Sequence, residues 1–136
     1  MAIGTHISRD LEAHEIGTMA KIECVADAVK SAIQSAQIMN LSDVHFVQIK
    51  CPLLTADRIA AARRPVATQD TLKSMALSRG ASALGIALAL GEIGTAKAEA
   101  AKVGEDTHLW SSRASTSAGV ELLGHEIVVL GMSAHW

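Results

Sequence analysis

A single helical stripe constrains the fold of this chain more than any other feature. From Met19 onward, apolar residues recur at steps of three and four, which places them on one face of an α-helix. Charged and polar residues fill the steps between them, so the helix needs one apolar layer to pack against and keeps its far side in water. The apolar face comprises Met19, Ile22, Ala26, Val29, Ile33 and Ala36, and the polar face Lys21, Glu23, Asp27, Lys30 and Gln34.

A second long helix is predicted over Leu72–Leu90, with its start at Asp70 or Thr71. Its interior contains Gly80 and Gly85, and each interior glycine costs about 1 kcal/mol relative to alanine. Small residues surround both glycines, so another backbone can approach this helix closely. We therefore expect the helix to lie flat against a sheet, and the alternative is a direct role of these glycines in function.

The remaining segments indicate strands and surface connections. Val44 to Lys50 is rich in β-branched residues and is followed by Pro52, which is typical of a strand. Both α/β and α+β arrangements fit, and we predict an α+β two-layer sandwich: an approximately four-stranded mixed sheet covered on one face by two long helices. The other predicted elements are strands over Ala2–Ser8, about 107–116 and 125–131, a short helix over Ala56–Arg64, and a polar surface segment over 94–106.

Composition narrows the class of protein. The 136 residues fit one domain that buries roughly 70% of its unfolded surface. A net charge of −2 and the scarcity of aromatic residues argue against nucleic-acid and membrane-surface roles. Cys24 and Cys51 form no paired framework, and the start of the chain lacks the pattern of a signal segment. We expect a cytoplasmic protein with reduced thiols.

Several motif searches fail. His14-Glu15 and His125-Glu126 each begin a zinc-binding HExxH pattern, but Thr18 and Val129 stand where the second histidine is needed. No serine has a lysine three residues later, and no GxGxxG or Walker loop occurs. We therefore expect neither a metal site nor a cofactor.

A serine cluster is the best remaining candidate for chemistry. Ser111, Ser112, Ser115 and Ser117 lie within seven positions, and Ala118-Gly119 follow them. A serine needs a base to become a nucleophile, and Lys50 ends the predicted strand 44–50. The sequence favours Ser117 and Lys50 as a pair, with the N–H groups of Ala118 and Gly119 as an oxyanion hole.

Lys50 acts as a base near neutral pH only if its pKa falls from about 10.4 to roughly 7–8. Burial beside Ile49, Pro52 and Leu53 is expected to lower the pKa, and so is a nearby positive charge such as Arg79. Arg79 is also a candidate for binding a carbonyl or anionic substrate.

Four blocks of the sequence resemble the ring-opening cyclic amide hydrolases, the family of cyanuric acid hydrolase and barbiturase. The similarity extends over nearly the whole chain and is far more specific than any short motif above. Family members carry three consecutive repeats of about this length around a pseudo-threefold axis, and the chain resembles the middle repeat. The blocks are Ala2–His6, Asp43–Thr55, Met75–Gly85 and Ser111–Leu130.

The resemblance implies a role for each candidate residue. Lys50 matches the dyad lysine, Arg79 the substrate-binding arginine, and Ser117 the nucleophilic serine of a Ser-x-Gly-x-Glu segment. The main chain of Ser117 and Ala118 would hold a substrate carbonyl. Since the other two repeats are missing, we expect three identical chains to complete the site as a homotrimer around a small cyclic amide. The alternative is an isolated or engineered single repeat that folds and self-associates but is a weak or inactive binder of cyclic amides.

Overall fold

The computed structural model describes residues 1–106 and 109–136. Within them, no helix is both long enough and apolar enough to cross a membrane. Short 3-10 turns occupy Ala13–Glu15 and Leu41–Asp43. The helices are α1 (Met19–Ser35), α2 (Ala56–Ala61), α3 (Thr71–Ala89) and α4 (Thr95–Ala100), and the strands are β1 (Ala2–Ile7), β2 (Val44–Pro52), β3 (Ala114–Gly119) and β4 (Glu126–Gly131).

The four strands form one mixed sheet in the order β1-β4-β2-β3. The strand β4 runs antiparallel to both β1 and β2, whereas β2 and β3 are parallel and are joined by a connection that includes α3. The predicted fold class, an α+β mixed sheet of four strands with helices, is confirmed.

The two faces of the sheet differ in what covers them. Alternate residues of β2, namely Val47, Ile49 and Cys51, are fully buried on the side that packs against α1 and α3. The intervening residues point the other way, because successive side chains of a strand alternate between faces. We call this second side the open face; it comprises Ile3, Thr5 and Ile7 of β1, Glu126, Val128 and Leu130 of β4, Phe46, Gln48 and Lys50 of β2, and Ser115 and Ser117 of β3.

The core lies between the sheet and the two long helices. Branched aliphatic side chains dominate it, and small alanines allow the helices to approach closely. Asp70 caps α3 by accepting a hydrogen bond of 3.2 Å from the main-chain N–H of Lys73, as its position before Thr71 predicts. The largest fully buried aliphatic residues are Ile22, Ile49, Leu54, Ile86, Ile127, Val25, Val29, Val44, Val47 and Val129.

The predicted strand over 107–116 is wrong in its bounds. Residues 107 and 108 lie outside the described residues, and the segment from Leu109 to Arg113 is not a strand. The strand instead spans Ala114–Gly119, because these residues pair in parallel with Val47–Pro52. Ser117 therefore lies within a strand rather than in a turn after it. A short helix, α4, also occupies part of the predicted polar surface segment.

The prediction that Lys21 faces solvent is also wrong. Its side chain is fully buried, on the same helical row as Val25 and Ala28. The buried face of α1 is wider than a single stripe because α1 packs against both the sheet and α3.

Gly85 sets how closely α3 approaches α1. A Cβ atom at this position would lie 2.5 Å from Cγ1 of Val25 and 2.9 Å from the main-chain oxygen of Ile22. The close approach predicted for this helix thus occurs within the chain, where α1 is the neighbouring element.

We expect Gly85→Ala to lower the free energy of unfolding by about 1–3 kcal/mol, because the added methyl group overpacks the α1–α3 contact. Gly80→Ala is the matched control, since the atoms nearest to its Cβ would be Cγ1 of Val103 at 3.1 Å and the main-chain nitrogen of Gly104 at 3.4 Å. Chemical denaturation of both variants measures the difference. Equal stabilities of the two variants would contradict this role of Gly85.

Candidate functional site

Lys50 and Ser117 are direct neighbours across the sheet. The parallel register of β2 and β3 pairs them residue for residue, and both lie on the open face. Adjacent strands are about 4.8 Å apart, so the two side chains project side by side. Glu126 of β4 is the partner of Lys50 on its other side, which makes a row across the sheet of Ile7, Glu126, Lys50 and Ser117.

The environment of Lys50 differs from the sequence-based prediction. Its ammonium group forms an ion pair with the Oε1 atom of Glu121, and 43% of its side chain is exposed. The hydrogen bond that Lys50 donates to the Glu121 carboxylate, followed by the electrostatic attraction of the same carboxylate, raises the pKa of Lys50. The expected lowering of its pKa by burial is wrong for the single chain, because the open face leaves the lysine in water beside a carboxylate.

Gly119 gives the ion pair the space it occupies. A Cβ atom on Gly119 would lie 2.6 Å from Oε2 of Glu121 and 2.8 Å from Cε of Lys50. These atoms belong to flexible side chains, so a larger residue would displace the ion pair rather than break the strand. The Ala118-Gly119 pair predicted as an oxyanion hole thus lies next to the dyad and ends β3.

Two further contacts fix the main chain around the dyad, and sequence reasoning missed both. The thiol of Cys51 donates a hydrogen bond of 3.1 Å to the carbonyl oxygen of Ser117. The guanidinium of Arg58 donates to the carbonyl oxygens of Leu53 at 2.8 Å and Val120 at 2.7 Å. Arg58 thereby ties the segment after β2 to the segment after β3. Since the acceptors are main-chain atoms, no residue type in the sequence signals these contacts.

Arg79 is not brought into contact with the dyad. It lies on α3 in the helix layer, is exposed, and forms no hydrogen bond or ion pair within residues 1–106 and 109–136. The residue before it, Ser78, donates a hydrogen bond to the carbonyl oxygen of Pro52. This contact places the Arg79 turn of α3 at the end of the sheet where β2 ends.

A cavity of about 290 Å³ lies near this end of the sheet but does not contain the dyad. Its lining is mainly apolar, with the guanidinium-bearing side chains of Arg58 and Arg63 among the polar residues. Lys50, Ser117 and Arg79 are absent from the lining. Lys50 and Ser117 lie outside this cavity, and both side chains are exposed on the sheet.

The whole chain matches known proteins. The sequence model of a family described as "Amidohydrolase ring-opening protein" covers residues 1–136. Two relatives named cyanuric acid amidohydrolase, from Azorhizobium caulinodans and Rhizobium johnstonii, are each 55% identical over all of this chain. The chain belongs to the ring-opening amidohydrolase family.

Solved structures of the family share the fold. The structure of cyanuric acid hydrolase from A. caulinodans superposes with a TM-score of 0.90 at 54% identity and covers 99% of this chain and 39% of its own. A second cyanuric acid hydrolase structure gives a TM-score of 0.93 at 47% identity, over 97% of this chain and 37% of its own. The chain thus spans about two fifths of the length of the family members it matches.

Proposed function

We propose that the protein hydrolyses a cyclic amide, cyanuric acid or a barbiturate, by opening its ring with Ser117 and Lys50. The observation that carries the proposal is the cross-strand pairing of these two residues on one face of the sheet. Membership of a family whose relatives are named cyanuric acid amidohydrolase supports the reaction and the substrate class.

In the proposed reaction, the Oγ atom of Ser117 attacks a ring carbonyl carbon while the Nζ atom of Lys50 takes the hydroxyl proton. The main-chain N–H groups of Ala118 and Gly119 stabilise the oxyanion. Cleavage of the ring C–N bond leaves an ester on Ser117, and Lys50 returns the proton to the leaving nitrogen. Water then attacks the ester and regenerates the serine.

Completion of the site by a homotrimer is part of the proposal. Family members that match this chain are about two and a half times as long, whereas here the dyad stands on an uncovered surface. The open face carries exposed apolar side chains beside the dyad, which is a pattern typical of protein interfaces. Their exposed fractions are 74% for Ile7, 48% for Ile3, 37% for Phe46 and 36% for Val128.

We propose that further copies of this chain cover the open face. A closed threefold ring gives every copy the same environment and brings three Lys50 ammonium groups toward one axis. Mutual repulsion then lowers the pKa of each lysine, against the effect of Glu121. Arg79 of the assembled copies is proposed to orient the cyclic amide.

A second candidate function is favoured by the Lys50–Glu121 ion pair. A lysine held as a cation by a carboxylate accepts no proton from Ser117. If assembly leaves this ion pair intact, the protein binds small cyclic amides without opening them. The two candidates differ in turnover and not in fold.

We expect light scattering at micromolar concentration to give a mass three times the 14.2 kDa of one chain, and the same preparation to release ring-opened product from cyanuric acid or barbiturate. A monomer would contradict the proposed assembly. A trimer that binds either ring in calorimetry without forming product would support the second candidate instead.

A further inference from the structure

Lys21, His125 and Ser8 form a buried polar network beneath the sheet. The Nζ atom of Lys21 lies 2.6 Å from Nε2 of His125, and Nδ1 of His125 lies 2.9 Å from Oγ of Ser8. Lys21 and His125 are completely buried, and Ser8 is almost completely buried. The network therefore joins α1 to the segments that adjoin the ends of β1 and β4.

The charge of Lys21 assigns the protons in this network, since an ammonium group only donates and Nε2 of His125 must therefore accept from it. Ser8 donates its hydroxyl proton to the carbonyl oxygen of Arg9 at 2.9 Å, and it accepts from the main-chain N–H of His125 at 2.9 Å. With the ring proton on Nδ1 of His125, the contact between Nδ1 and Oγ of Ser8 is a bond that Ser8 accepts. His125 is thus the Nδ1–H tautomer, and its Nε2 atom accepts from Lys21.

This network adjoins the row that contains Lys50 and Ser117. Ser8 and His125 are the chain neighbours of Ile7 and Glu126, which belong to that row, and the main-chain N–H of Ser8 donates to the oxygen of His125 at 3.0 Å. On β2, Cys51 follows Lys50, points into the core, and bonds to the carbonyl of Ser117.

A lysine at position 21 lowers the stability of the fold. A buried cation without a carboxylate destabilises a fold, and no ion pair to Lys21 occurs in the described part of the chain. The ionisable groups that act on it are His125, Cys24 of its own helix and Cys51 of β2. Burial lowers the pKa of Lys21 to about 8; burial, and then the charges of Lys21 and Arg9, lower the pKa of His125 to about 3.

We propose that Lys21 is a positioning residue for the proposed reaction, which holds the Lys50–Ser117 row in place from the core side through His125 and Ser8. The proposal rests on the proposed function for its effect on turnover. Lys21 touches neither substrate nor the reacting atoms. Its hydrogen bond sets the tautomer of His125, which fixes the ends of β1 and β4 beside Lys50.

Lys21→Met tests the proposal, with Lys30→Met on the exposed side of the same helix as the matched control. We expect kcat of Lys21→Met to fall about tenfold to a hundredfold with KM nearly unchanged, and Lys30→Met to behave as the unaltered protein. Equal kcat values for the two variants would overturn the proposal.

The same variants separate positioning from stability. Between pH 8 and pH 10.5 the unfolded chain binds more protons at Lys21 than the folded chain, so the free energy of unfolding rises with pH in this window. We expect Lys21→Met to lose that rise and to be at least as stable as the unaltered protein at pH 7. If Lys21→Met loses both stability and kcat at pH 7, the role of Lys21 is only structural, and the proposal is overturned.

A measurement on the unaltered protein needs neither turnover nor a variant. In a nuclear magnetic resonance titration, the amide signals of Ser117 and Ala118 are expected to shift together with the Lys21 side chain near pH 8. Signals that stay fixed through the Lys21 transition would overturn the positioning role. If cyclic amides are not turned over, the proposed function fails on its own and this titration still decides the role of Lys21.

Discussion

Ser117→Ala is expected to abolish ring opening, with a loss in kcat of about a thousandfold or more. Removal of Oγ deletes the proposed nucleophile, and the nearest serine on the same face of β3 does not replace it: Ser115 lies two residues away, opposite Gln48 rather than Lys50. The assay is the release of ring-opened product from cyanuric acid and from barbiturate under saturating substrate.

Ser115→Ala is the control for this experiment. It removes a hydroxyl from the same strand and the same face, so it reproduces any general effect on β3 without touching the dyad. We expect it to retain most of the turnover. Turnover by Ser117→Ala at the level of Ser115→Ala would reject Ser117 as the nucleophile, provided that both variants show the unaltered mass and circular dichroism.

Val128→Lys is expected to produce single chains and to remove activity along with the assembly. Val128 lies between Thr5 and Gln48 at the centre of the open face, and 36% of it is exposed. A lysine there is free in water on the single chain but loses its hydration when a second copy covers the face, which costs several kcal/mol per copy. Light scattering and the ring-opening assay on one preparation give both results.

Leu72→Lys is the matched control, because Leu72 is a 76% exposed apolar residue on α3, outside the open face. It adds the same charge and is expected to leave mass and turnover unchanged. A Val128→Lys protein that remains a trimer would place the interface elsewhere. A single-chain Val128→Lys protein with full turnover would show that the site needs no partner copy.

Local patterns predicted most of the architecture. The apolar steps from Met19 predicted α1, the cap at Asp70 predicted the start of α3, and the β-branched run after Val44 predicted β2. These features succeed because their determinants are near neighbours in the sequence. The pairing of Lys50 with Ser117 was anticipated as a hypothesis, and the register of β2 and β3 shows that the two residues are adjacent.

The errors share a physical cause, which is contact between residues far apart in the sequence. The strand β3 owes its bounds to β2, and its serines and alanines carry little strand propensity of their own. Lys21 is buried beside a hydrogen-bond partner, His125, that lies 104 residues later in the sequence. The pKa of Lys50 is raised by Glu121, 71 residues away. A pattern of neighbouring residues carries no information about contacts across such sequence separations.

In the proposed trimer, the position of Lys50 and Ser117 on the open face limits how the protein can change by mutation. In a ring of identical chains, every substitution on this face is made three times at once, so a residue that improves contact with one edge of a substrate is imposed on the other two edges as well. A gene that encoded the copies in tandem would remove this restriction, because each copy could then vary alone. In the proposed trimer, the threefold symmetry of the site thus limits the substrate specificity that mutation can produce.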